Sequence, residues 1–329
     1  MEQIDILMAT YNGEKYLKEQ LDSILSQTYS NFRLIISDDC SKDNTRKILK
    51  EYEQKDNRIK VFYQEENLGY IKNFEFLLKK VENEIYALSD QDDIWLPTKV
   101  EKTYKKLKNT NADLVFTDLE VVDKNLNSMY SSFNDYMLLT RKIKKYKQSY
   151  KMQYLYNCIT GCTLISKKKF LDKILPIPTD SKYVIHDTWI GLVVSLYGRI
   201  EYLDEKTIKY RQHGNNQVGT DKISHKFKEI QEVRNLFIDV KLQLFKTYVN
   251  NEQVFDKKLK KENKQAYEYF KMLQNNKNIN FKNWNIFHRL YKTETFVYYI
   301  QNFMIMNMPI IANMPFKIRH SILKMQGKR

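Results

Sequence analysis

Three short apolar runs, Ile4 to Ala9, Phe32 to Ser37 and Glu84 to Leu88, alternate along the chain with apolar residues at helical spacing. Leu17, Leu21, Ile24 and Leu25 form one such stripe, a helix is expected to begin near Asn44, and Ile71, Phe74, Leu77, Leu78 and Val81 form another. Strand and helix signals alternating in this way restrict the chain to the α/β class, a mostly parallel sheet with helices packed on it. Ligands of such sheets lie beyond the carboxyl ends of the strands. Here those ends deliver Thr10-Tyr11-Asn12, Asp38-Asp39 and Asp90-Gln91-Asp92-Asp93 to one edge.

Carboxylates crowded this way repel one another, and a bound cation relieves the repulsion. If the stretch is extended, Asp90 and Asp92 flank one residue and project towards the same ion, while Asp93 faces elsewhere. Hard oxygen donors suit Mg²⁺ or Mn²⁺, and a site with so few protein ligands shares its metal with substrate phosphates. Helix capping accounts for acidic residues after a strand equally well. Capping does not, however, predict that three strand ends converge. Further on, Asp113 to Thr117 reads as a strand ending at Asp118, and Glu120 to Tyr130 as a hairpin around Asp123-Lys124-Asn125.

Taken together, Ala9 to Leu17, Asp38-Asp39 with Ser41 and Asp43-Asn44-Thr45, Asn67-Leu68-Gly69, and Asp90 to Asp93 with Trp95 and Pro97 resemble family-two inverting glycosyltransferases of the GT-A fold. The resemblance extends through Gly161-Cys162-Thr163, His186-Asp187-Thr188-Trp189 and Tyr210 to Asn216, which look like the bacterial polysaccharide, rhamnosyltransferase-like branch. It covers about residues 3 to 220.

The resemblance implies a role for each matching residue. Asp39 accepts from the pyrimidine base, and Thr10 and Tyr11 complete the base and ribose pocket, with Asn12, Glu14 and Asn67 on the same nucleotide-sugar site. Asp90 contacts ribose or sugar, Arg211 pairs with the diphosphate, and Asp92 and His213 hold Mg²⁺ or Mn²⁺. Asp187 is the catalytic base that takes the proton of the acceptor hydroxyl, and His186 and Trp189 support it or line the acceptor site. Position alone leaves alternatives open: Asp187 also suits a helix N-cap, and His213 a loop histidine bonded to a carbonyl. The implied reaction moves a sugar, rhamnose from dTDP-rhamnose first, to a growing, lipid-linked surface glycan. A UDP-hexose or UDP-amino-sugar donor is the alternative within the class, and a catalytically silent nucleotide-sugar-binding scaffold subunit the alternative outside it. The joint presence of Asp39, Asp92 and Asp187 disfavours the scaffold.

Charge divides the chain. Residues 1–220 carry 34 basic and 31 acidic side chains, whereas residues 221–329 carry 21 and 9, and after Gly219 only Gly327 remains. We therefore expect a catalytic domain over 1–220 and a basic, mainly helical region over 221–329 that serves a membrane interface or oligomerisation. Thr295 to Phe316 is 22 residues without a charge, but Asn302, Pro309 and Pro315 interrupt it, so an interfacial or buried helix is expected rather than a spanning one. A pI of 9.3 would admit nucleic acid, yet carboxylates occupy the place where phosphates would approach, and we expect no nucleic-acid partner. Three cysteines without metal-ligand spacing, and a first strand beginning at Ile4, predict a cytoplasmic protein peripheral to the inner membrane face. Asn134 to Tyr156 is expected to be a surface loop bordering the acceptor.

Overall fold

The computed structural model describes residues 2–137, 139–146, 149–213, 230–275 and 281–291. The chain forms two compact units, residues 1–179 with 185–217, and residues 180–184 with 218–329. The stretch 295–316 lies outside the described residues.

The first unit is built on β1 (Ile4–Thr10), β2 (Phe32–Asp38), β3 (Ile59–Tyr63), β4 (Ile85–Ser89), β5 (Ile94–Trp95), β6 (Leu114–Val122), β7 (Ser128–Tyr130), β8 (Ile165–Lys167) and β9 (Ile200–Arg211). Their order is β3-β2-β1-β4-β8-β6-β9-β5, with β7 on β6. The four strands from β3 to β4 are parallel, β8 runs against both β4 and β6, and β5 runs against β9. Thr10 pairs with Asp38 and Met8 with Ser89, so the loops after β1, β2 and β4 leave from one edge. A fully parallel half and a mixed half, in which β6 and β9 are parallel to each other, thus meet beside β4, and the acidic loop emerges there.

Helices α1 (Leu17–Leu25), α2 (Thr45–Lys55), α3 (Tyr70–Leu78) and α4 (Lys99–Asn109) each turn an apolar stripe inward. Leu17, Leu21 and Ile24 of α1 are fully buried against Ile4, Ile6 and Leu34 of the sheet. Val81 lies beyond the end of α3. The segment expected to be a loop after Asn134 instead carries α5 (Phe133–Tyr136), α6 (Thr140–Tyr146) and α7 (Lys151–Tyr156), with Met152 and Tyr154 buried. Helix α8 (Leu171–Ile174) follows, and α9 (His186–Tyr197) is buried along its whole first half.

The strand expected to stop at Asp118 continues to Val122. Asp118 is 3 % exposed and accepts from Ser132 Oγ, Asn134 N and Leu119 N, so its charge is hydrogen-bonded inside the sheet. The register of β6 against β9 slips on either side of Asp118.

The second unit contains α10 (Ile230–Asn250), α11 (Lys257–Gln274) and α12 (Phe281–Tyr291). Phe245 stacks on Phe270 at 5.6 Å, and Tyr248 leans on Phe255. Asp256 caps α11 by accepting from Leu259 N at 2.8 Å. Asp180 accepts from Thr247 Oγ1 and Asn250 Nδ2, and Tyr183 Oη donates to Asp239, which ties the short segment 180–184 to α10. Among the described residues no helix is long and apolar enough to cross a membrane.

Candidate active site

The loop after β1 is held by side chains of the loop after β2. Asn12 N donates to Ser41 Oγ, Gly13 N to Thr45 Oγ1, and Glu14 N to Asp43 Oδ2. In return Asn12 Oδ1 accepts from Lys42 N, and Glu14 Oε2 from Asn44 N. Glu14 therefore closes the start of α2 through Oε2, while the residue remains exposed. Thr10 is buried and donates to Asp38, itself paired with Arg46 at 2.7 Å. Tyr11, by contrast, is 44 % exposed at the rim.

Asp39 is 3 % exposed and accepts from Leu68 N at 2.7 Å and Gly69 N at 2.9 Å. Burial raises its pKa while the two amides oppose the shift. Asn67 donates to Asp39 O and accepts from Gly69 N, and Gly69 takes φ +78°, where a side chain is disfavoured. Asn67 thus shapes the turn that grips Asp39.

After Ser89 the chain bends at Gln91 and Asp92 instead of staying extended. The expected pairing changes accordingly: Asp90, Asp93 and Cys162 Sγ come together within 4.8 Å, three residues apart in the turn, while Asp92 meets His213. Asp93 is fully buried and accepts from Arg211 N. Burial and the neighbouring carboxylates push Asp90 and Asp93 upward, and burial raises the Cys162 thiol likewise. Lys99, buried with Nζ 3.8 Å above the Trp95 ring, is lowered to about 8 by desolvation, and Asp93 and Cys162 resist that shift. A lysine of the protein is therefore buried alongside the acidic run, its Nζ on the Trp95 ring. Nothing in the spacing of Cys162 or Lys99 announced it.

His213 Nε2 is 2.8 Å from Asp92 Oδ2. Two donors on one octahedral ion, each about 2.1 Å from it and at right angles, stand about 3 Å apart. The carboxylate oxygen and imidazole nitrogen, hydrogen-bonded to each other at 2.8 Å, already stand at about that spacing, and their chemistry suits Mn²⁺. Tyr16 lies between this pair and Arg211, its ring 4.9 Å from His213 and 4.4 Å from the guanidinium.

Arg211 corrects a sequence expectation. It is 2 % exposed, donates to Asp92 O, Lys124 O and Glu19 Oε2, and covers Tyr16. A guanidinium engaged in this way braces the bend after β4, its donors taken by protein acceptors.

Asp187 is not an N-cap: Ile185 occupies that position and Asp187 stands in the first turn of α9. It is 7 % exposed, Oδ2 accepting from Gly161 N and Oδ1 from Thr188 N and Thr188 Oγ1. Its charge acts on Asp90 and, after burial, helps to raise the pKa of Tyr70, so base candidate, sugar-contact candidate and α3 start share one locality. His186 stacks on Phe74 at 4.0 Å, burial lowers its pKa, and its Nδ1 makes no hydrogen bond. Trp189 is core: 1 % exposed, with Nε1 donating to Ile174 O. An acceptor cannot reach it.

Residues 5–172 match the sequence model of Glycosyl transferase family 2. The chain belongs to that family. It is 34 % identical over 242 residues to dTDP-rhamnosyl transferase RfbG of Shigella flexneri, covering 69 % of this chain and 79 % of that protein. Among solved structures, S. aureus TarS 1–349 in complex with UDP-GlcNAc superposes with a TM-score of 0.56 at 17 % identity, over 89 % of this chain and 82 % of that one. The mannosyltransferase PcManGT from Pyrobaculum calidifontis, with GDP-Man and Mn²⁺, gives 0.53 at 13 %, over 94 % and 81 %. These likenesses fix the GT-A fold, and family membership makes the protein a nucleotide-sugar-dependent glycosyltransferase.

Proposed function

We propose that the protein transfers rhamnose from dTDP-rhamnose, with inversion, to a hydroxyl of a growing lipid-linked surface glycan at the inner face of the membrane. The 34 % identity to a dTDP-rhamnosyl transferase supports the donor. The observation that carries the mechanism is that Asp187 and the Asp92–His213 pair both neighbour Asp90.

In this reading Asp39 accepts from the base N3–H, and the loop Thr10-Tyr11-Asn12 with Asn67 encloses the nucleoside. Thymine and uracil both carry that N–H, so a UDP-hexose or UDP-amino-sugar donor is the second reading. Asp92 and His213 would hold Mg²⁺ or Mn²⁺, which when bound stabilises the negative charge developing on the departing nucleoside diphosphate. Asp187 takes the proton of the attacking hydroxyl. Three protein donors leave one of its roughly four lone-pair directions for that proton. Thr188 and Gly161 orient the carboxylate, so little reorganisation accompanies the transfer. His186, stacked beside it on Phe74, is a buried support of the base.

The division we favour remains a catalytic 1–220 and a basic 221–329, the latter drawing the enzyme to anionic lipid or to a second copy. A donor-hydrolysis screen over purified dTDP- and UDP-sugars, with Mg²⁺ and with Mn²⁺, tests the function. Release of dTDP from dTDP-rhamnose above all other donors is expected; preference for a UDP-sugar would replace the first reading with the second, and no hydrolysis of any would return the scaffold.

A further inference from the structure

The main-chain ladder between β1 and β4 ends at Met8 and Ser89. Beyond it, one side chain continues the tie. Gln91 Oε1 accepts from Tyr11 N at 2.9 Å, and Gln91 Nε2 donates to Tyr11 O at 3.0 Å. A primary amide is the side chain that can meet both the N–H and the C=O of one residue, as a neighbouring strand would. Gly13 makes room: a Cβ there would stand 2.2 Å from Gln91 Oε1. Gln91 lies in the same bend as Asp90 and Asp92, and Tyr11 in the loop assigned to the nucleoside.

We propose that Gln91 is a positioning residue that fixes the span between the nucleoside end and the diphosphate end of the donor site. The inference rests on the donor-site reading above. A nucleoside diphosphate engages both ends at once, and its affinity depends on their separation being preset, since the second contact is then made at high effective concentration. Removing the latch leaves each end intact and loses the benefit of their being joined.

The test uses the full chain with Gln91→Met, which fills the same space without hydrogen bonds, and with Gly13→Ala, which displaces the amide. Thermal midpoint, affinity for Mn²⁺ alone, and affinities for UDP and dTDP in the presence of Mn²⁺ are measured for each. Both variants should keep the midpoint and the Mn²⁺ affinity and bind the better nucleotide about tenfold more weakly, the equivalent of two modest hydrogen bonds. Combining Gly13→Ala with Gln91→Met should add little, because both remove one latch. Wild-type nucleotide affinity in Gln91→Met overturns the inference and leaves the donor site standing. Parallel loss of midpoint, Mn²⁺ and nucleotide affinity also overturns it, marking Gln91 as part of the general framework. If the wild type binds neither UDP nor dTDP, the donor-site reading itself falls, and the inference with it.

Discussion

His213 and Asp92, 121 residues apart, bring Nε2 and Oδ2 to 2.8 Å of one another at the edge of the sheet. The contact joins the end of the last strand of the first unit to the bend after the fourth, and Arg211 secures it by donating to Asp92 O from the far side of Tyr16.

Removing either member should therefore disable metal use before it harms the fold. We expect Asp92→Ala to abolish transfer, EDTA to abolish it in the wild type, and His213→Ala to raise the Mn²⁺ concentration needed for half activity at least tenfold. Transfer that survives chelation would exclude the metal role.

Asp187→Asn keeps the shape of the side chain and the contacts of one oxygen, but its amide nitrogen cannot accept from the second N–H donor and the side chain cannot take a proton. Turnover should fall by about 10²–10⁴-fold, with the thermal midpoint and nucleotide affinity near wild type. Single-turnover kinetics and calorimetry on the same preparation check this, and undiminished transfer would remove Asp187 from the mechanism.

Gly161 admits its neighbours because it has no side chain: a Cβ would lie 3.1 Å from His186 Nε2 and 3.3 Å from Asp187 Cβ. Gly161→Ala should push the base aside by a few tenths of an ångström and reduce kcat about tenfold or more, with a smaller change in donor KM. An unaltered kcat would mean that the carboxylate position is not critical.

Acid stability should carry the signature of a residue remote from the site. Asp5 is fully buried in β1; burial alone would raise its pKa, but Arg33 and the amides of Asn83 and Glu82 hold it below the ordinary 3.8. A depressed folded-state value stabilises the fold above pH 3.8, and that contribution is lost as pH falls below 3.8 through the folded-state value. Asp5→Asn should cost about 1–3 kcal/mol at pH 7, because the amides of Glu82 and Asn83 lose a charged acceptor while Arg33 keeps Glu82, and should flatten the loss of stability on acidification. Denaturant titrations at pH 7, 4 and 3 read both effects.

The basic region 221–329 predicts salt-dependent binding to anionic vesicles. Full-length protein should pellet with them at low salt and release at high salt, and protein truncated after about residue 290, without the uncharged 295–316 stretch and its basic tail, should not pellet. Equal partition of the two proteins would leave the basic region without a membrane role.

The sequence made the parallel half of the sheet legible because each strand there is a continuous apolar run with a marked end. It did not reveal β5, β8 or the long pairing of β6 with β9, which are short or alternating and owe their place to neighbours distant in the chain. The same divide runs through the site. Asp39, Asp92, Asp187 and His213 are apparent as motif residues, whereas the convergence of Asp90 with Asp93 depends on a bend, and the burial of Arg211 depends on Glu19, Tyr16 and Lys124, none of which adjoins it in sequence. Gln91 passes as a spacer between carboxylates until Tyr11 is seen opposite it.

Asp180 and Tyr183, fastened to α10, interrupt the first unit's sequence without being part of it. The helical unit is consequently not a cassette that a single crossover can transplant. A chimera joined only at residues 217 and 218 would supply α10 with a foreign 180–184 segment and leave Thr247, Asn250 and Asp239 facing the wrong partners. Exchange between relatives requires three junctions, at 179/180, 184/185 and 217/218, so the pentapeptide and the distant helix are expected to be inherited together.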